Sequence, residues 1–396
     1  MNQKNKMPIT LMLGTLSIFM VINCSFVINP MLASLAEFYG EQGISYSQVL
    51  MLSTIVSLVN IPFSLISGAI AGKKVKFKTL AIISMIFALV GGIGPYFVRN
   101  YYAVLFFRAL IGVAVGFSMP TSNALVARLF KGDQAATMQG IGTTVNNLAG
   151  VAYQFFGGLI CDYNMHLAWF VHAILIIPLV LAILFLKEPE EEAANDTASA
   201  EVKSTGGMPI SVILISLAWG VIFMVYYPML LNMSTILIEE GIGTAAVAGT
   251  IQSLYTVGGM VAGVAFGVLY KNVGKVVLPI AIISQVAGLA LGFWGTSTIL
   301  LMIGSFLTGF AIFTIWPAAM MIFSSILPAD KMSMASGIFS ACLGVGGFLS
   351  AYYVGIIASV TGNTSPRFPI FVGMIITAII GGIWSVAELG RKESKA

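Results

Sequence analysis

The sequence predicts an all-α membrane protein with twelve transmembrane helices in two pseudo-symmetric six-helix bundles. Three observations carry that prediction: composition, apolar blocks of bilayer length, and an internal repeat. Of 396 residues, 58% are hydrophobic and 9% charged, and the mean hydropathy is +0.97. A soluble globular protein carries about 25% charged residues, so this chain has too few to cover a surface in water. The apolar blocks run to roughly 20 residues or more, matching a hydrocarbon core of ~30 Å at ~1.5 Å per helical residue.

Polar breaks delimit twelve blocks, at about 9–36, 46–71, 78–98, 101–127, 134–160, 168–187, 209–235, 245–270, 275–294, 298–325, 331–359 and 366–388. The first is too long for a signal-peptide core and lacks a small-residue cleavage site, so it is read as a retained span. Lysine and arginine set the orientation. With the N-terminus in the cytoplasm, sixteen basic residues fall in inside segments and two, Arg99 and Arg367, outside. Both termini are therefore expected in the cytoplasm. The polar stretch EPEEEAANDTASAEVKSTGG has linker composition and divides the chain into a bundle at 1–187, a linker at 188–208 and a bundle at 209–396. Its acidic run reads as a solvated connector.

The halves correspond at an offset of about 197 to 199 residues. Pro30 matches Pro228, Gly68 matches Gly267, Gly112 matches Gly309, Pro120 matches Pro317, and Gly140 matches Gly337. An ordered series at one spacing implies duplicated halves in the same orientation, which places a solute site at their interface near the bilayer midplane.

Twelve spans in two parallel halves with a central linker resemble the major facilitator superfamily over essentially the whole chain. GAIAGKKVKFK at 68–78 is similar to the family's loop after the second span, with Gly72 where the acid belongs. GVLYKNVGK at 267–275 is its counterpart, again without the acid, and RALIGVAVG at 108–116 is similar to the fourth-span pattern. YQFFGG at 153–158 keeps the glycine pair of the drug/proton antiporter signature but lacks its Gly-Pro. The resemblance implies alternating access between two rocking bundles, with Gly68, Lys73, Gly267 and Gly274 in gating loops.

Arg108 is the only basic residue within a span. An arginine at a span centre costs ~2.5–3.5 kcal/mol on insertion scales, so it faces protein, water or ligand. Either carbonyls of neighbouring helices satisfy it, or it faces the central lane and pairs with an anionic group of a solute. All fifteen acidic residues fall in loops or at span ends, which argues against a mid-membrane carboxylate carrier. His172 reads as a packing residue. Thr143, Asn147 and Gln154 form one stripe on the fifth span, and Gln252 and Tyr255 another on the eighth. Each stripe is cavity lining or interhelical hydrogen-bond glue. Asn23, Tyr226 and Trp316 lie on spans that border the path by family resemblance, or else pack.

The expected solute-binding set is thus Arg108, Asn23, Asn147, Gln154, Tyr226, Gln252, Tyr255 and Trp316. Three scattered cysteines form neither a disulfide framework nor a metal site. No phosphate-binding loop, HExxH or nucleophile elbow appears, so no enzyme, cofactor or metal is expected. The net charge of +4 has a topological explanation and implies no nucleic-acid partner. The reading is a monomeric secondary transporter in a bacterial cytoplasmic membrane, whose partners are the lipid bilayer and a small-molecule substrate. It works as uniporter or exchanger of a small organic solute, with an organic anion suggested by Arg108. The alternatives are a proton-linked exporter of hydrophobic compounds and a non-transporting receptor on the same fold.

Overall fold

The structure, a computed structural model, describes residues 7–189 and 208–390. The linker core at 190–207 and the terminal basic residues Lys4, Lys6, Arg391, Lys392 and Lys395 lie outside the described residues. Among the described residues, ten stretches are long and apolar enough to cross a bilayer, against twelve expected. Two causes account for the difference. Ala245–Trp294 counts as one stretch of 50 residues, but Gly274 within it has φ +54° and ends the first of two helices. Asp133–Tyr163 is helical for 31 residues, but the amides and threonines of the predicted stripe make it too polar to qualify.

The rods, in order, are α1 (Ile9–Gly40), α2 (Tyr46–Ile70), α3 (Phe77–Phe97), α4 (Tyr101–Leu129), α5 (Asp133–Tyr163), α6 (Leu167–Phe185), α7 (Ile210–Glu239), α8 (Ala245–Val273), α9 (Val277–Trp294), α10 (Thr298–Ile326), α11 (Ala329–Thr361) and α12 (Phe368–Leu389). Rods α1 and α7 are interrupted at equivalent places. α1 passes through a 3₁₀ stretch, Cys24–Met31, around Pro30, and α7 breaks at Tyr227 before Pro228. Proline lacks the N–H that an α-helix needs. Each half packs into its own bundle, with α2 and α3 on α4 in the first and α8 and α9 on α10 in the second.

Glycine sets how closely these rods approach. A Cβ on Gly112 would lie 2.7 Å from that of Val59, and one on its repeat partner Gly309 would overlap the Tyr255 carbonyl. Close backbone approach is the main route to helix association in lipid, where hydrophobic burial gives little drive.

Side chains close the helix starts. Ser45 and Gln48 form a capping box on α2, and Asn100 accepts from Tyr102 and Ala103 on α4. The start of α3 is capped from a distance. Glu188 accepts from the backbone N–H groups of Phe77 at 2.7 Å and Lys78 at 2.8 Å. The first acid of the expected solvated run is therefore a structural cap, placed where the helix dipole favours an anion. Glu388, 200 residues on, is 5% exposed and lines one small cavity with Val277 and Leu278, the first residues of α9.

Substitution should separate the tight glycines from the free ones. Gly309→Val is expected to destabilise by about 1–3 kcal/mol through overpacking. Gly267→Ala, within α8 and with no atom within 4 Å of the new Cβ, should leave stability unchanged or raise it by up to about 1 kcal/mol. Thermal unfolding of the purified protein in detergent measures both.

Candidate functional site

The bundles meet along two lateral seams. On the first, a Cβ on Gly158 would overlap the Ala245 carbonyl, and one on Gly249 the Gln154 carbonyl. One turn further along, Ser253 Oγ donates to the Val151 carbonyl at 3.1 Å and Gln154 Nε2 donates to Thr256 Oγ1 at 3.1 Å. On the second seam, Ser47 faces Gly355, Ser57 faces Gly347, and Ile61 faces Gly344. Contact then stops. Gly68, Gly140, Gly263, Gly267 and Gly337 all have open space where a Cβ would point. Among the described residues the bundles are thus sealed at the end opposite the termini, with open space beside these glycines toward the other end.

Polar contacts hold the sealed end. Tyr46 donates to Asn232 Oδ1 at 2.9 Å or Thr235 Oγ1 at 3.0 Å, and the Ala33 N–H donates to Ser234 Oγ at 3.0 Å. Asp162, at the end of α5, caps the start of α8 in the other bundle. Its carboxylate accepts from Thr244 Oγ1 at 2.5 Å and from the N–H groups of Ala245 at 2.8 Å and Ala246 at 3.1 Å. A carboxylate at an exposed helix start contributes typically about 0.3–1 kcal/mol. That holds a closed end without fixing it shut.

The structure separates the expected binding residues into two groups. Gln154 crosses the joint, and Asn147 lies one turn inward of Val151 on the same face of α5, 4% exposed. Asn23 is half-buried and donates to the Asn146 carbonyl at 3.2 Å. Gly150 leaves it room, since a Cβ there would lie 3.0 Å from its amide nitrogen. Trp316 is half-buried and meets the Phe339 ring edge-on at 5.1 Å. Three others turn into their own bundle. The Tyr226 and Tyr255 hydroxyls share a hydrogen bond of 2.8 Å, and Gln252 Nε2 donates to the Leu230 carbonyl at 2.8 Å.

Arg108 is fully buried. Its Nε donates to the Leu52 carbonyl at 2.8 Å and its Nη2 to the Ser25 carbonyl at 2.9 Å, which joins α4 to α2 and α1. Charge-assisted bonds contribute about 1.5–3 kcal/mol each, enough to offset the insertion cost. Nη1 has no partner, and Tyr227 of the second bundle lies within electrostatic reach. His172 is packed against Gly92 with Nδ1 3.0 Å from the Trp169 carbonyl.

The loop residues explain the missing family acid. Gly72 has φ +71°, a backbone that favours glycine, and a Cβ there would collide with the Phe77 ring. Lys73 is exposed in that tight turn, which closes through Gly72 N–H to the Val75 carbonyl at 2.8 Å. Gly274 takes the corresponding positive φ after α8. Asp162, Tyr46, Asn232 and Ser234 escape sequence reading, because each meets a partner in the other bundle. The signal available for Asp162 was an acid beside a helix end.

A model of the Major Facilitator Superfamily matches residues 11–241. No curated protein matches the chain. Among solved structures, it is similar in fold to the nucleoside transporter NupG, with a TM-score of 0.75 at 14% identity over 98% of this chain and 100% of that one. It is also similar to a D-xylose–proton symporter, with a TM-score of 0.72 at 15% identity over 98% of each chain. A third is a bacterial homologue of the human lysosomal transporter Spinster, inward-facing and unoccupied, with a TM-score of 0.70 at 13% identity over 98% of each chain. Matched by the family model over more than half its length and built as two facing six-helix bundles, the chain belongs to the major facilitator superfamily.

Proposed function

We propose that this protein carries a small organic solute across the membrane by alternating access, as uniporter or exchanger, and that the structure is its cytoplasm-facing state. As a member of this family it is a transporter and not an enzyme. One observation carries the proposal: the described contacts between the bundles, from Gly158 and Gly355 inward to Thr256 and Ile61, gather at one end, while Gly68, Gly140, Gly267 and Gly337 have open space toward the other. The lysine and arginine bias supports a cytoplasmic location for the open end. Transporters of a nucleoside and of D-xylose among the similar structures support a small organic solute. A proton-linked mechanism would need a titrating carboxylate along the lane, and the acidic residues lie in loops or terminal turns.

The carbonyl partners of Arg108 support a bracing role rather than contact with an anionic solute. Arg108→Gln is expected to lower stability by about 1.5–3 kcal/mol and transport in parallel, read by thermal unfolding and liposome uptake. Unchanged stability with selective loss of anion uptake would restore the solute-contact role.

Alternating access itself is tested by spin labels on a background without native cysteines, one pair at Glu41 and Thr361 and another at Lys74 and Ser324. Electron–electron resonance should show two distance populations per pair, the first lengthening as the second shortens. Asp162→Ala should raise the open population at the sealed end about two- to five-fold, the equivalent of ~0.3–1 kcal/mol. A single fixed distance at both ends, in wild-type and variant alike, would sink the proposal.

A further inference from the structure

Several positions paired by the repeat have diverged into opposite chemistries. The second half carries rings where the first has none: Tyr227 pairs with Asn29, Trp316 with Met119, and Phe339 with Gly142. The first half carries amides where the second has none: Asn23 pairs with Val221, Asn123 with Met320, and Asn147 with Gly344.

In the structure the rings of the second half meet one another. Trp219 stacks on Phe339 at 5.4 Å with an interplanar angle of 3°, and Phe339 meets Trp316, the half-buried member of the group. In the first bundle, Asn123 is exposed and accepts from Gln139 at 2.9 Å, and Asn23 is half-buried beside Gly150. Within the described spans, Arg108 is the one charged residue outside the terminal turns, and carbonyls of its own bundle hold its Nε and Nη2.

We propose that the solute carries no net charge and is two-faced, with a flat apolar or ring face against the aromatic group of the second bundle and a hydrogen-bonding edge against the amides of the first. This rests on the transporter reading above. Bringing an unpaired ion into such a lane costs far more than bringing a neutral polar group that finds hydrogen bonds. Amides replace the water of a neutral solute at little net cost, and aromatic walls favour flat faces. Because the walls belong to different bundles, a solute that bridges them favours the state in which both are in reach. Differential affinity of that kind drives a conformational change.

Three matched probes test the charge and the stacking separately: phenyl β-D-glucopyranoside, its uronic acid, and its 2-amino-2-deoxy analogue. Binding to the full chain is followed by tryptophan fluorescence and thermal shift. The neutral glucoside is expected to bind at least about ten-fold more tightly than either charged analogue. Trp316→Ala should weaken it about ten-fold, with the unliganded melting temperature as the control for folding. Asn123→Ala, at an exposed position, should weaken it a few-fold without touching the aromatic group. Equal or tighter binding of the uronic acid or the amine overturns the proposal, as does the absence of binding by all three. The spin-label distances need no solute, so failure here leaves the alternating-access result standing on its own.

Discussion

Helices in a bilayer gain little from hiding apolar surface from one another, so close backbone approach must do much of the joining. In this protein that approach occurs at glycine, both within the bundles and across the joint. Gly112 and Gly309 bring α4 and α10 against α2 and α8. Gly158, Gly249, Gly347 and Gly355 bring the bundles together at the sealed end. Contacts of this kind are short-ranged, and a small rotation that separates them removes them together. The same chemistry therefore serves both a firm bundle and a joint that can part.

The polar fastenings follow the same division. Arg108 links three helices of one bundle through backbone carbonyls, deep in the span. Water does not compete there, and charge-assisted bonds are strong. Glu188 fastens the end of the first bundle to the start of α3, and Glu388 lines a cavity near the start of α9 in the second. Asp162 makes the same kind of cap, but across the joint and on an exposed surface. A carboxylate within one bundle holds through the cycle. One that bridges two bundles must release, and its exposure keeps the energy small.

Duplication supplied the frame, and divergence supplied the lane. The repeat keeps its prolines and crossing glycines, because both set backbone geometry that each bundle needs. The residues that face the joint have no such obligation. At several of them the halves differ: Asn23, Asn123 and Asn147 pair with Val221, Met320 and Gly344, and Arg108 pairs with Ser305.

The sequence by itself determined the spans, the two halves, and the depth of Arg108, because hydrocarbon thickness and helical rise constrain composition directly. It also determined that Asn147 and Gln154 share a face, since periodicity alone places them there. Only the tertiary structure decided what those faces meet. Tyr226, Tyr255 and Gln252 lie on a legible stripe yet bond within their own bundle. Arg108 is held by carbonyls, which every residue possesses and which leave no mark in a sequence. Asp162 finds its partners 83 residues away, at a helix start in the other bundle. A helical period gives the direction of a side chain about its own axis, and the identity of its neighbour depends on how twelve such axes are packed.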